Sequence, residues 1–198
     1  SGLDIFTSRI VGISLAIEPH KAWYIPFTIG SDRNALESSY AEILRPLFEN
    51  KKIAKVGQNM KFDILFLRTL GVEVRGEKWD TMLLHYLLDP ESRHNMDALS
   101  ERYLNYSPIS IQTLIGKGRE QMTMDMVGLQ PISEYGCEDA DITLQLYYAL
   151  RPLIESQSLL RLYHEIEEPM IAVLADMEWN GVKIDSERLK DYSATLTM

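Results

Sequence analysis

Residues 55–63 read Lys-Val-Gly-Gln-Asn-Met-Lys-Phe-Asp (KVGQNMKFD), and the fold can be worked out from this stretch outward. The run Ile53–Val56 is short and apolar, as in a buried strand. Asn59 is a residue type favoured at helix N-caps, and the apolar positions after it predict a helix that closes before Gly71. Asp63 therefore falls in the first turns of a helix that follows a strand. There its charge would favour the positive end of the helix dipole.

Apolar runs and helix-capping signals predict the elements on either side of this stretch. Upstream, residues 10–17 and 22–27 are β-prone and flank Pro19, which indicates a hairpin. Ser39 begins a capping-box spacing that predicts a helix to about Phe48. The helices predicted downstream are 82–88, 96–104 with Asn95 as its cap, about 131–154, and about 159–179. An early hairpin, one further strand and then mostly helices indicate a layered α/β or α+β fold.

The composition is that of an ordinary globular domain with a short extension. The chain has 198 residues, of which 45% are hydrophobic and 25% charged, so disorder is not expected. No apolar run is long enough for a bilayer, and a single cysteine excludes an intrachain disulfide, so a reducing cytoplasm is the default. The net charge of −9 indicates either no nucleic-acid role or one that borrows affinity from a neighbouring domain.

A second informative segment runs from Tyr135 to Asp141 and reads YGCEDAD. On a helix Tyr135 and Asp139 are four residues apart and share a face, which the apolar Ile142 continues. The phenol and the carboxylate would therefore point toward the protein. A carboxylate there needs a metal ion or a basic residue as a partner, because an unpaired buried charge is costly. The alternative is that this acidic segment is simply an exposed turn of a helix.

Together the two segments resemble the second and third motifs of the tyrosine-containing branch of the DEDD exonuclease superfamily. The context is similar to the 3′→5′ exonuclease (proofreading) domain of bacterial family A DNA polymerases (DNA polymerase I). The matching stretches are 56–63, 80–83, 93–99, 116–118 and 135–146, while 165–169 and 177–185 resemble the entry into the polymerase thumb. The resemblance implies a ribonuclease H-like α/β fold, a mixed sheet flanked by helices. It also implies an exonuclease domain at 1–157, and a connecting helix with the start of the polymerase domain at 158–198.

The family resemblance also implies a metal site. In that family four carboxylates hold two divalent cations, usually magnesium, and manganese is a possible substitute. Asp139 would ligate the metal that activates the attacking water, Tyr135 would orient that water, and Asp63 would serve the second metal. These three residues are the expected catalytic set, with Asp63 and Asp139 as the expected metal ligands.

The implied substrate is the single-stranded 3′ end of DNA. Leu3, Asn59 and Arg93 match the family positions that contact it. The resemblance further implies a polymerase domain in the same polypeptide as the partner. It implies a place in the bacterial cytoplasm with the nucleoid, and no membrane.

One family motif does not appear where it is expected. The Asp-x-Glu of the first strand, which supplies two of the four carboxylates, occurs in no early strand of this sequence. The stretch Ser1–Asp4 matches what usually follows that motif, so we expect the first, central strand to be absent from this chain. Two sheet edges would then be exposed. We also expect residues 1–198 alone to be nearly inactive, whereas the parent would be a DNA-directed DNA polymerase with exonuclease activity.

Three other interpretations compete with this one. The fold can serve as a non-catalytic structural module that braces the polymerase. A related 3′→5′ exoribonuclease shares the two motifs but does not explain residues 177–185. A helical scaffold with accidental acidic turns would leave Asp63 and Asp139 far apart.

Overall fold

The N-terminal hairpin is present as predicted. The computed structural model describes residues 4–8, 10–27, 33–118 and 121–197, with the side chains of the first helix described from residue 39. Strand β1 (Gly12–Glu18) pairs antiparallel with β2 (Lys21–Pro26). Asp141 closes the connecting turn, because its Oδ1 accepts the backbone N–H of His20 at 2.6 Å.

Four elements surround the sequence stretch 55–63. They are α1 (Arg33–Phe48), β3 (Lys55–Gly57), α2 (Met60–Thr69) and β4 (Lys78–Asp80). Helix α1 begins before the capping box predicted at Ser39. Strand β4 is not predicted, because three residues show no alternation and their parallel pairing with β3 is non-local. That pairing puts Asp80 directly opposite Gly57, at the end of β3.

The rest of the described chain is helical. Its elements are α3 (Thr81–Leu88), α4 (Met96–Leu104), α5 (Ile111–Ile115), a 3₁₀ turn (Met124–Met126), α6 (Leu129–Ser156), α7 (Leu160–Leu162), a π-helical turn (Tyr163–Glu167), α8 (Glu168–Asn180) and α9 (Ser186–Leu196). The pattern is too weak to predict α5. The helix predicted over about 159–179 forms, with the π-helical turn inside it. None of the described helices combines the length and apolarity needed to cross a membrane.

The expected α/β layering is confirmed, but the strands do not form one mixed sheet. Within the described residues they form two pairs, β1–β2 and β3–β4. Helix α6 packs against β1, β2 and β3 and so holds both pairs on one face. Gly136 permits the close approach to the hairpin, since a Cβ there would lie 3.1 Å from Ser14 Oγ and 3.1 Å from a ring carbon of Tyr24.

The main core lies between β4, α6 and the π-helical turn. The Trp79 and Tyr163 rings stack with centroids 5.1 Å apart and planes 7° apart. Leu146, Leu150 and Ile154 of α6 are fully buried in the same cluster. This core fixes the position of α6 relative to β4, and through β4 relative to the start of α2.

Candidate active site

The first half of the candidate site is the turn between β3 and α2. Asn59 is the N-cap of α2, with φ of 56° in the left-handed region, and its side chain makes no capping hydrogen bond. The predicted N-cap position is therefore correct, but the prediction that Asn59 itself caps the helix is wrong. Asp80 caps α2 from the neighbouring strand: its carboxylate accepts the N–H of Asn59 at 3.1 Å and of Met60 at 2.7 Å.

Asp63 lies in the first turn of α2, where the sequence predicts it. The surrounding protein and then the negative charge of Asp80 raise its pKa above the ordinary value. The residue is nevertheless exposed, so water screens part of this penalty. Asp63 is thus a carboxylate open to solvent on one side and next to a second negative charge on the other.

The second half of the candidate site is the acidic segment of α6. Glu138 accepts hydrogen bonds from the hydroxyl of Tyr106 at 2.6 Å and from the N–H of Ile109 at 2.8 Å. Asp141 bonds the hairpin turn and also accepts from Gln145 Nε2 at 2.7 Å. Both acids are partly buried and hold other segments to α6. The interpretation of this segment as an exposed acidic turn is therefore wrong.

Asp139 differs from both of its acidic neighbours. Its Oδ1 is buried and has no hydrogen-bond partner among the described residues. Burial raises its pKa to about 7, the hydrogen bond from Tyr135 acts in the opposite direction, and the charges of Glu138 and Asp97 raise it further. A positive charge at this oxygen would offset the cost of burying the carboxylate. None of the described groups that act on the pKa of Asp139 is a cationic side chain.

Tyr135 lies one turn before Asp139 and hydrogen-bonds to it. Burial and the negative charge of Asp139 raise the pKa of the phenol well above its ordinary value. The phenol therefore keeps its proton at neutral pH and acts as a donor. It can orient a neighbouring oxygen but cannot act as a base.

The donor set fits a divalent cation in part. The unpartnered buried oxygen of Asp139 and the carboxylate of Asp63 are the hard oxygen ligands that such cations take. The two carboxylates have different charged neighbours. The negative charge that raises the pKa of Asp63 is that of Asp80, whereas the charges that raise the pKa of Asp139 are those of Glu138 and Asp97. Across the part of the chain that the structure describes, no three His, Cys, Asp or Glu residues gather in a way that could hold a metal.

Of the three predicted substrate contacts, two lie in described parts of the chain. Asn59 and Arg93 are both exposed, and Arg93 makes no hydrogen bond or ion pair with any described residue. Leu3 lies outside the described residues. Asp4 uses its oxygens locally, accepting from Phe6 N–H at 2.9 Å and from Thr7 Oγ1 at 2.8 Å.

Sequence reasoning missed the part that Asp80 plays. Its Oδ1 also accepts the N–H of Met82 at 2.9 Å, so one buried carboxylate caps both α2 and α3. Burial raises its pKa, and these backbone donors act in the opposite direction. The available signal was an aspartate directly before an apolar helix, which predicts the cap of α3. Nothing in the local pattern predicts the second helix that it caps.

Comparisons with known proteins show which proteins this chain is similar to. Over 203 residues the chain is 36% identical to the DNA polymerase I of Pseudomonas aeruginosa, covering 99% of this chain and 22% of that protein. It is 34% identical over 192 residues to the DNA polymerase I of Borreliella burgdorferi, covering 96% of this chain and 20% of that protein. The chain thus spans about a fifth of the length of these relatives.

Solved structures agree on the fold. Brucella melitensis NrnC matches with a TM-score of 0.67 at 16% identity, over 93% of this chain and 85% of that one. The Pol1 structure from M. smegmatis, in complex with DNA primer-template and dNTP, matches with a TM-score of 0.66 at 22% identity, over 89% of this chain and 27% of that one. The family model described as 3′-5′ exonuclease matches residues 1–155. The chain therefore belongs to the 3′-5′ exonuclease domain family of the DNA polymerase I type.

Proposed function

We propose that this chain is the proofreading domain of a DNA polymerase I, which removes nucleotides from single-stranded DNA 3′ ends by hydrolysis with two divalent cations. Magnesium is the proposed metal, and manganese can replace it. The observation that carries the proposal is the buried Oδ1 of Asp139, which has no hydrogen-bond partner among the described residues although Tyr135 interacts with the same carboxyl group. A buried carboxylate oxygen with no hydrogen-bond partner lowers the stability of the fold unless a bound ion interacts with it.

Each candidate residue then has a distinct part in the reaction. When bound, the metal pair lowers the pKa of the attacking water and neutralises charge on the attacking and leaving oxygens. Asp139 and Asp63 would hold the metals through their carboxylates. Tyr135 keeps its proton, and its hydroxyl group would orient the nucleophile. It does not abstract a proton.

Substrate binding is assigned to three groups, of which the two in the described part of the chain are exposed. Arg93 is exposed and without an ion pair in the described chain, which suits a phosphate oxygen. Asn59 is exposed at the start of α2, beside Asp63 in the first turn, so its side-chain amide is free to contact a nucleotide. Leu3 keeps its proposed contact with the terminal base.

The proposed setting explains the acidic composition. With a net charge of −9 the domain is a poor binder of duplex, so the polymerase domain of the same polypeptide supplies most of the affinity. We place the domain boundary at 157/158, next to the end of α6 at Ser156, with residues 158–198 leading into the polymerase domain. The proposed location is the bacterial cytoplasm, with the nucleoid.

The test is Asp139→Ala in the complete protein, assayed on 5′-labelled single-stranded DNA with magnesium. Exonuclease activity should fall at least about a hundred-fold, which corresponds to roughly 3 kcal/mol of lost transition-state stabilisation. Glu138→Gln is the matched control, because this adjacent carboxylate serves the segment 106–109, and it should keep most of the activity.

Three results would contradict the proposal. The first is full exonuclease activity in Asp139→Ala. The second is equal loss in Asp139→Ala and Glu138→Gln. The third is faster cleavage of RNA ends than of DNA ends by the unmodified protein, which would favour the exoribonuclease interpretation.

A further inference from the structure

We propose that Asp80 is a positioning residue for this site, whose buried carboxylate fixes the turn 57–60 so that Asn59 and Asp63 are presented together. The inference rests on the proposed function, since it concerns a metal ligand and a substrate contact assigned there. Asp80 itself touches neither substrate nor metal in this scheme.

The geometry of Asp80 is that of an anchor for the backbone. The residue is only 2% exposed, and its two oxygens accept three backbone N–H groups from two helix starts. A carboxylate has about four lone-pair sites, so most of its capacity is used by the protein. Asp80 is therefore not a spare metal ligand waiting beside Asp63.

The turn needs such an anchor for two reasons. The first N–H groups of any helix lack partners within the helix, and α2 has no side-chain cap of its own. Asn59 also adopts a left-handed conformation, which is uncommon for residues other than glycine although asparagine adopts it more readily than most. Asp80 satisfies the N–H groups of Asn59 and Met60 only while the turn keeps this shape.

The backbone of Asp80 is itself fixed by a hydrogen bond to the core. Its own N–H donates to the hydroxyl of Tyr163 at 2.7 Å, and that hydroxyl donates to the carbonyl of Lys78 at 3.0 Å. Thr81 Oγ1 adds a bond to the carbonyl of Gly57 at 3.2 Å. The chain of contacts thus runs from the core at Tyr163 through Asp80 to the turn, and Asp63 follows within the first turn of α2.

The experiment compares Asp80→Asn with a control in the same strand pair. Asn has the shape of Asp but replaces one acceptor oxygen by an N–H₂ group, so at least one backbone N–H loses its acceptor and the clamp on the turn is weakened. Lys55→Met is the matched control: Lys55 is also buried, and its Nζ donates to the carbonyls of Asn50 at 2.6 Å and Arg75 at 2.7 Å, at the opposite end of β3. Both variants lose buried hydrogen bonds, and only one touches the turn.

Binding of Mn²⁺ alone to the complete protein, measured by calorimetry, is the main readout. Asp80→Asn should weaken it about ten-fold or more, the range found when partners behind a metal ligand are removed. Lys55→Met should change it by less than about two-fold. With a single-stranded DNA substrate, Asp80→Asn should lower kcat and raise KM, since a metal ligand and a substrate contact move together. Equal effects of the two variants on Mn²⁺ binding would overturn the inference.

Asp63→Ala, measured in parallel, separates the inference from the function on which it rests. Unchanged Mn²⁺ binding and nuclease activity in Asp63→Ala would remove the proposed function itself. If Asp63→Ala loses both and Asp80→Asn behaves like Lys55→Met, only the positioning role fails.

A second measurement on the unmodified protein decides the matter if Asp80→Asn does not fold. Amide hydrogen exchange at Asn59 and Met60 should be slower than at Met96 and Asp97, which open α4 behind an N-cap, Asn95, that makes no side-chain bond. Equally fast exchange at the two helix starts would overturn the inference.

Discussion

At the start of α2 the buried carboxylate of Asp80 accepts three backbone N–H groups, whereas in α6 the buried Oδ1 of Asp139 accepts none from the described residues. Both carboxylates are largely hidden from water, but only the first is satisfied by the protein. Burial costs stability at both carboxylates, but at Asp80 the backbone hydrogen bonds offset that cost and hold two helix starts, whereas the Oδ1 of Asp139 has no such compensation from the described residues. The difference teaches that burial alone does not mark a candidate ligand, and that a carboxylate with unfilled hydrogen-bonding capacity is the better candidate.

The largest expected effect is at Asp80. Asp80→Ala leaves three backbone N–H groups without an acceptor, two of them at the start of α2, and should lower the free energy of unfolding by about 3 kcal/mol or more. Urea denaturation measures this. Asp185→Ala is the control, since Asp185 caps the exposed helix α9 with one bond at 3.0 Å and should cost about 1 kcal/mol. Similar losses in the two variants would remove the contrast.

The opposite sign is expected at Asp139. Its folded-state pKa is about 7 against an ordinary 3.8, so the folded protein binds the proton more tightly than the unfolded chain. Without metal, this group therefore costs stability progressively as the pH rises from about 4 to 7. Asp139→Asn should raise the free energy of unfolding at pH 8 by about 1–2 kcal/mol, less than the full shift implies because the residue is partly exposed.

The pH dependence provides the control for this effect. At about pH 3 and below the carboxyl is largely protonated in both states, so the advantage of Asp139→Asn should vanish there in urea denaturation with a chelator present. Glu138→Gln weakens bonds to Tyr106 and Ile109 and should show no gain at pH 8. A loss of stability in Asp139→Asn at pH 8 would mean that the oxygen is satisfied after all.

The smallest expected effect is at Asp141. This residue is satisfied like Asp80, but its partners are the turn at the exposed His20 and the side chain of Gln145. Asp141→Ala should therefore cost only about 0.5–1.5 kcal/mol in thermal or urea unfolding. A cost as large as that of Asp80→Ala would show that the hairpin turn matters as much as the start of α2.

Local patterns predicted the parts of this comparison that depend on one segment. The helical spacing of Tyr135 and Asp139 put both on the inward face of α6, and the strand-turn-helix pattern put Asp63 in the first turn of α2. The orphan oxygen of Asp139 could not be predicted, because it depends on which groups other segments fail to bring near it.

Features that join distant segments escaped prediction for the same reason. Strand β4 exists because three residues pair with β3, and Asp80 caps α2 across 20 positions of sequence. Residue propensity predicted that Asn59 caps α2, but its side chain makes no capping bond and its backbone is in a left-handed conformation. A one-dimensional pattern shows the residue that begins a helix but not the neighbour whose side chain completes it.

The π-helical turn at Tyr163–Glu167 determines whether Tyr163 and Ile171, on one continuous helical segment, can both face the protein interior. Tyr163 and Ile171 are both buried, yet the eight positions between them would advance about 800° in an α-helix, roughly 80° past two full turns. The wider turn winds less per residue and absorbs that excess. Winding the same residues as an α-helix, without changing their number, would restore that excess. Either the Tyr163 hydroxyl would then turn away from Asp80, or Ile171 and Ala175 would rotate out of the core. Deleting one residue from 164–167 would instead leave seven positions, about 700°, and would keep both contacts nearly in phase. The winding of this turn, far in sequence from residues 57–60, thereby supports the start of α2.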